Sequence, residues 1–370
     1  MAGPFKYGHS AASQWDDATQ ACLTQMGEIP ATANLGFIYV TDRLAAHMQD
    51  ILAMAKESTR VAHWVGSVGL GICSTGQEYL DQPAIAIMLG EFPEHAFRVF
   101  PAIQHLDDMP EVIAVGSSPA YFGIVHGDPE NQEMVSLIEQ FAARMESGFV
   151  VGGLTSSRNE NVQVADNITQ GGLSGVAFTA DIALTTRLTQ GVSPLGVQHE
   201  ITECEDNVII RIDGRPALDV LREEIGEVLS RDLQRLSNYI FVGLPIVGSD
   251  TGDYLVRNLV GIDVERKLLA IGDTVENGRH LLFCRRDGAS AVKDMQRILD
   301  DLKAGIAGKP RGAVYYSCLG RGESLFGPDS EELKMISRAL GEIPLVGFFA
   351  NGEISHNRLY GYTGVLTVFL

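Results

Sequence analysis

One pattern, met three times along the chain, constrains the fold more than any single motif. An apolar strand leads into an amphipathic helix, then into a strand carrying a Val-Gly step, then into a second apolar strand. The first copy runs through GFIYV (36–40), DRLAAHMQDILAMAKES (42–58), VAHWVGSVGLGI (61–72) and PAIAIMLGEF (83–92). The second runs through VIAVGSS (112–118), PENQEMVSLIEQFAARMES (129–147), FVVGGLTSS (149–157) and LSGVAFTADIAL (173–184). The third has AVYYSCLG (313–320), DSEELKMISRALG (329–341), PLVGFFANGEI (344–354) and YTGVLTVFL (362–370). Self-similarity of this kind sets the architecture before any motif does. The Val-Gly steps are Val65-Gly66, Val151-Gly152 and Val346-Gly347, with Ile85, Val176 and Val365 in the closing strands. A glycine inside a strand marks a bulge or a close backbone approach. The last two strands of each copy are too near in sequence for a crossover helix, so antiparallel neighbours are expected beside one strand reached through the helix. The fold class is therefore α/β (α+β), with mixed sheets and outer helices rather than a doubly wound parallel sheet.

Between the second and third copies lie a strand pair, HEITECED (199–206) and NVIIRIDG (207–214), and a helix over 216–236 opened by Pro216. Four further strands are expected in FVGLPIVGSD (241–250), YLVRNLVGID (254–263), RKLLAIGD (266–273) and HLLFCRR (280–286), then a helix over 289–305. Ahead of the first copy, 18–26 has the apolar spacing of one helix. At 370 residues, the expectation is two domains, 33–215 and 216–370, behind a helical leader at 1–32, with the boundary falling within 190–240.

A net charge of -19 works against a nucleic-acid surface, which needs clustered Lys and Arg. Five scattered cysteines without a Cys-x-x-Cys pair fit a reducing compartment. No apolar run approaches membrane-spanning length, and the N-terminus lacks a signal-peptide core. A cytoplasmic protein without membrane insertion is expected.

Familiar chemical signatures are missing. GLGICSTG (69–76) has the wrong glycine spacing for a dinucleotide loop and no room for its helix, so a glycine-bent hairpin is expected there. The nine histidines form no metal-ligand pattern, and neither a Gly-x-Ser-x-Gly elbow nor a Walker loop occurs.

Two segments stand out. In CLGRGESLFG (318–327), Cys318 ends a strand, and Arg321 lies between glycines that expose backbone N–H groups. Such a loop holds a carboxylate or other small anion, or else it is a turn in which Arg321 pairs with Glu323 or Glu353. Cys318 reads as a half-buried thiol, or as a nucleophile if the fold supplies a base. In LVGFFANGEISH (345–356), Gly347 permits close packing and Asn351-Gly352 is a turn pair. Glu353 either receives the amino group of a zwitterion or caps the turn.

These two segments resemble the FIST family, an intracellular signal-transduction domain of N-terminal and C-terminal halves. The carrying residues are Cys318, Gly320, Arg321 and Gly322, then Gly347, Phe348, Phe349, Gly352, Glu353 and Ile354. FVVGGLTSS (149–157) resembles the Gly-Gly strand of the N-terminal half, and NVIIRIDGRPALDVL (207–221) the segment joining the halves. The resemblance implies a sensory module for a small ligand such as an amino acid, working through a separate signalling protein such as a kinase or chemoreceptor, since no output segment is apparent up to Leu370. Some relatives are described as haem-binding nitric-oxide sensors, which makes haem the runner-up ligand.

The expected site thus comprises Cys318, Arg321, Gly322, Glu323, Gly347, Asn351 and Glu353, with Gly152 and Gly153 giving backbone access from the other half. The competing classes are an enzyme using Cys318 as nucleophile and an interaction scaffold without a pocket.

Overall fold

A computed structural model of the chain describes residues 5–229, 239–246 and 254–370. The ends of the expected helix over 216–236 and strand over 241–250 lie outside them. Compactness divides the chain into one unit of residues 1–189 and 292–370 and another of residues 190–291.

In the larger unit the threefold repeat becomes three six-stranded mixed sheets. The first copy supplies β1 (Leu35–Thr41), α1 (Met48–Thr59), β2 (His63–Gly69), β3 (Gly71–Ser74) and β4 (Ile85–Gly90). The second supplies β5 (Phe122–Gly127), α2 (Met134–Ala143), β6 (Phe149–Leu154), β7 (Gln163–Ala165) and β8 (Leu173–Phe178). The leading strand of this copy was expected at 112–118 and is corrected to 122–127; the earlier segment contributes only Ala114–Val115, in a two-residue pairing with Ser118–Pro119. The third supplies β9 (Gly312–Cys318), α3 (Glu331–Leu340), β10 (Leu345–Ala350), β11 (Glu353–Ser355) and β12 (Thr363–Phe369).

In each copy the central strand lies parallel to the strand reached through the helix and antiparallel to the closing strand. The pairs are β1 with β2 and β4, β5 with β6 and β8, and β9 with β10 and β12. The helix-reached strand was expected to pair with the closing strand across their short link; instead the central strand lies between them and pairs with both. What the sequence did not reveal is an exchange: β3 pairs with β10, β7 with β2, and β11 with β6. Each sheet is thus completed by a strand of another copy.

The registers make the copies superposable residue by residue. Val65, Val151 and Val346 sit opposite Phe37, Ile124 and Val314, and the following glycines opposite Ile38, Val125 and Tyr315. A Cβ on Gly66, Gly152 or Gly347 would fall 1.8, 1.8 or 1.7 Å from the carbonyl oxygen of its partner. The shared glycine is therefore a close-approach position within the sheet. The closing strands correspond less simply than the sequence suggested: Val176 stands across from Ile124, but Met88 and Thr367 hold the matching places, because the links before these strands differ in length.

Alternation along the strands sorts side chains between two environments. Phe37, Tyr39, Ile124, Val314 and Tyr316 join one central core shared by the three sheets. The opposite faces are covered by helices. Met48, Ile51, Leu52 and Ala55 of α1 recur at helical spacing and bury against Ile38 and Val40. Phe141 of α2 packs near Val125, and Leu333 and Ile336 of α3 near Tyr315. At equivalent positions in the centre, the Tyr39 hydroxyl lies 2.8 Å from that of Tyr316 and 3.1 Å from His126 Nε2.

The expected leader helix is Trp15–Met26, preceded by a strand, Lys6–Ser10, that pairs with β4. GLGICSTG forms a tight antiparallel hairpin, β3 with Gln77–Leu80. In the smaller unit, strands 199–205, 208–212, 268–271, 254–263, 240–245 and 280–286 pair in that order and antiparallel, and the last pairs back to the first. The sequence supplied the strands but not this closed ring. Among the described residues no helix is long and apolar enough to cross a membrane.

Candidate functional site

The site is built at the carboxyl end of β9, where alternation sends neighbouring residues to opposite sides. Tyr316 faces the central core, and Cys318 follows it two residues on, in the register that Thr41 and Asp128 hold in the other copies. Tyr315 and Ser317 face α3, which carries Glu332 toward them.

Glu332 is fully buried and accepts from four groups: the Tyr315 hydroxyl at 2.6 Å, the Ser317 hydroxyl at 3.2 and 3.3 Å, Arg321 Nε at 2.8 Å and the Gly322 amide at 3.0 Å. The next amide, of Glu323, donates to Glu78 Oε1 at 2.8 Å. The exposed loop amides expected to hold an external anion are therefore occupied by two of the protein's own carboxylates. The pairing of Arg321 with Glu323 or Glu353 is corrected accordingly. Its partner is Glu332, which the turn from β9 into α3 brings onto Nε, while the Glu323 side chain points to solvent.

Arg321 is 1% exposed, with Phe326 stacked over the guanidinium at 4.9 Å. Burial opposes its charge, but Glu332 holds it firmly protonated. Its Nη1 and Nη2 atoms have no protein hydrogen-bond partner. Glu353 is fully buried on β11, and its Oε2 accepts from the Thr363 amide at 3.0 Å and hydroxyl at 2.7 Å, while Oε1 has no protein partner. Burial pushes its carboxyl up to about 8, against the opposing effects of Thr363, Arg321 and a side-chain hydrogen bond from Cys318. Burial, reinforced by Glu332, pushes Glu78 up to about 7, and its Oε2 also lacks a partner. Burial first, and then Glu353, push the Cys318 thiol well up, which disfavours the thiolate a nucleophile needs.

Of the residues singled out from sequence, Cys318, Arg321, Gly322 and Glu353 come together here. Gly153 lies directly across from Glu353, and Gly152 across from Ile354. A Cβ on Gly153 would stand 2.6 Å from that of Ala350, so the two glycine-bearing edges meet in tight contact. Gly347 approaches Tyr315 within the sheet, and Asn351 is exposed in the turn. Sequence reasoning missed Glu332, Glu78, Tyr315, Ser317 and Thr363. The one available signal was Glu332, an acid one residue before Leu333 on the buried stripe of α3.

Haem does not fit the histidines present. His126 is enclosed by the rings of Tyr39, Tyr316 and Phe348, and His199 is held by Asp213 at 2.6 Å and Glu224 at 3.2 Å. The other seven are exposed or partly exposed.

Residues 34–215 match the FIST N domain and residues 217–356 the FIST C domain. An uncharacterized protein of Mycobacterium tuberculosis is 31% identical over 347 residues, covering 87% of each chain. An uncharacterized protein of Mycobacterium bovis is 28% identical over 379 aligned positions, covering 95% of this chain and 94% of the relative.

Proposed function

The chain belongs to the FIST family, whose domains are associated with sensory and signalling roles, and from that premise we propose that it is a cytoplasmic sensor binding a small ligand at the Arg321–Glu353 cluster and signalling through a separate partner such as a kinase or chemoreceptor. The observation that carries this reading is the set of buried polar atoms without protein partners: Arg321 Nη1 and Nη2 together with Glu353 Oε1. Leaving such atoms unpaired costs about 1–3 kcal/mol each, more for charged groups, so they call for a partner that the protein itself does not supply, and a bound ligand is one that would. The planar guanidinium fork, stacked on Phe326, matches a carboxylate or another two-oxygen acceptor. Glu353 Oε1 accepts a positive group on the same guest. Cys318 lies beside Glu353, and Gly320 and Tyr362 beside Cys318; all three are partly exposed.

Calorimetry with amino acids and small carboxylates tests the reading. Binding that weakens at least tenfold in Glu353→Gln and in Arg321→Lys is the expected outcome. Equal affinity in both variants would remove the ligand from this site.

A further inference from the structure

We propose that the ligand at Glu353 carries a cationic group, and that this group enters in exchange for a proton resting on Glu353 Oε1. The inference rests on the ligand-binding reading above and adds the sign of the ligand's charge and the direction of its pH dependence.

The argument starts from an imbalance. Three carboxylates, Glu78 at 4% exposure and Glu332 and Glu353 at 0%, surround one buried guanidinium, Arg321. Glu332 already engages that guanidinium through Nε, so these two form a neutral pair. Among the described residues no basic side chain lies within 4.0 Å of Glu353 or Glu78. Around Glu353 stand Cys318 from the end of β9, Arg321 from the following loop and Thr363 from β12. Gly153 of β6 and Tyr360 face it across the neighbouring strands. Both Thr363 donors go to Oε2, which leaves Oε1 as the oxygen able to carry a proton.

A buried carboxyl group whose nearest positive charge is already paired with another acid keeps its proton, because desolvation penalises the charged form. The upward push of Glu353 to about 8 agrees, and places that proton on the group at neutral pH. An ammonium or guanidinium arriving at Oε1 brings both donors and a compensating charge, so the carboxylate becomes the favoured form and the proton leaves to solvent. An anionic guest would do the reverse. It would add another negative charge beside three acids and hold the proton in place. The two kinds of ligand therefore predict opposite proton traffic.

The test is calorimetry of the full chain with L-lysine and putrescine as cationic probes and succinate as the anionic one, in buffers of differing ionisation heat from about pH 6 to about pH 8. The expected result is cationic binding with release of close to one proton per ligand, and an affinity that rises roughly tenfold per pH unit below the Glu353 transition. The carbonyl stretch of a protonated acid in the infrared spectrum should disappear on binding. Glu353→Gln should remove both the proton release and the pH dependence, whereas Glu342→Gln, at an exposed position, should keep them. Succinate binding with proton uptake, or a cationic probe binding without proton exchange, would overturn this inference while leaving the ligand site standing. Failure of all three probes to bind would overturn both. The wild-type proton count decides the matter even if the Glu353 variant folds poorly.

Discussion

Substituting Glu332 by Gln keeps shape and volume but removes the charge that faces Arg321. Four donors converge on this carboxylate in a fully buried position, and the guanidinium it neutralises is itself buried. Breaking one partner of a buried ion pair strands the other and costs about 3–5 kcal/mol. The lower end is expected here, because Glu353 also interacts electrostatically with Arg321 and ionises to replace part of the lost charge. About 3 kcal/mol corresponds to a melting temperature lower by roughly 6–12 °C in a unit of this size. Urea unfolding of Glu332→Gln, Arg321→Met and the double variant closes a double-mutant cycle, in which the paired change should recover at least 1 kcal/mol or so relative to the sum of the singles. A loss below about 1 kcal/mol for Glu332→Gln, or strict additivity in the cycle, would show that the pair does not hold this corner together.

Gly347→Ala should destabilise by about 3 kcal/mol or more, because its Cβ would meet the Tyr315 carbonyl at 1.7 Å, whereas Gly305→Ala, with nothing within 4 Å, should raise stability by up to about 1 kcal/mol; equal effects in chemical denaturation would contradict the packing argument. Iodoacetamide should modify Cys318 roughly tenfold or more slowly than a cysteine peptide, and after Cys204, as read by mass spectrometry; Cys318 reacting first would revive a nucleophilic role. Burial holds His126 down to about 3, below the usual 6.5, so the folded state stays unprotonated where the unfolded chain takes up a proton. Its contribution to stability is complete above about pH 6.5 and is lost as pH falls toward 3, at up to about 1.4 kcal/mol per unit. His126→Gln should flatten that slope, and an unchanged slope would contradict the assignment.

The repeating order of elements was legible because strand and helix periodicity is a local signal, but the pairing within each copy was not: short links suggested that the helix-reached and closing strands are neighbours, whereas both flank the central strand. The exchange of β3, β7 and β11 was not legible either, since pairing of β3 with β10 joins residues some 270 positions apart and leaves no periodic trace. The same distance hid Glu78, which meets the amide of Glu323 across 245 positions. Cys318, Arg321 and Glu353 were found because their turn chemistry is written in neighbouring residues. Glu332 was passed over because an acid near a helix start is usually solvated, and only the side-to-side alternation of β9 shows that this one is covered.

The strand exchange has a consequence for synthesis on the ribosome. No copy owns a finished sheet: the first needs β7, the second needs β11, and β3, held on one edge by Gln77–Leu80, has its other edge open until β10 exists. The segment that satisfies β3 and β6 spans residues 345–355, and the ring of residues 190–291 is translated in between. During that interval the nascent chain carries two unpaired strand edges, both open to wrong partners. Elongation stalled ahead of residue 345 should therefore leave a chain that engages chaperones, and one released after β12 is complete should not.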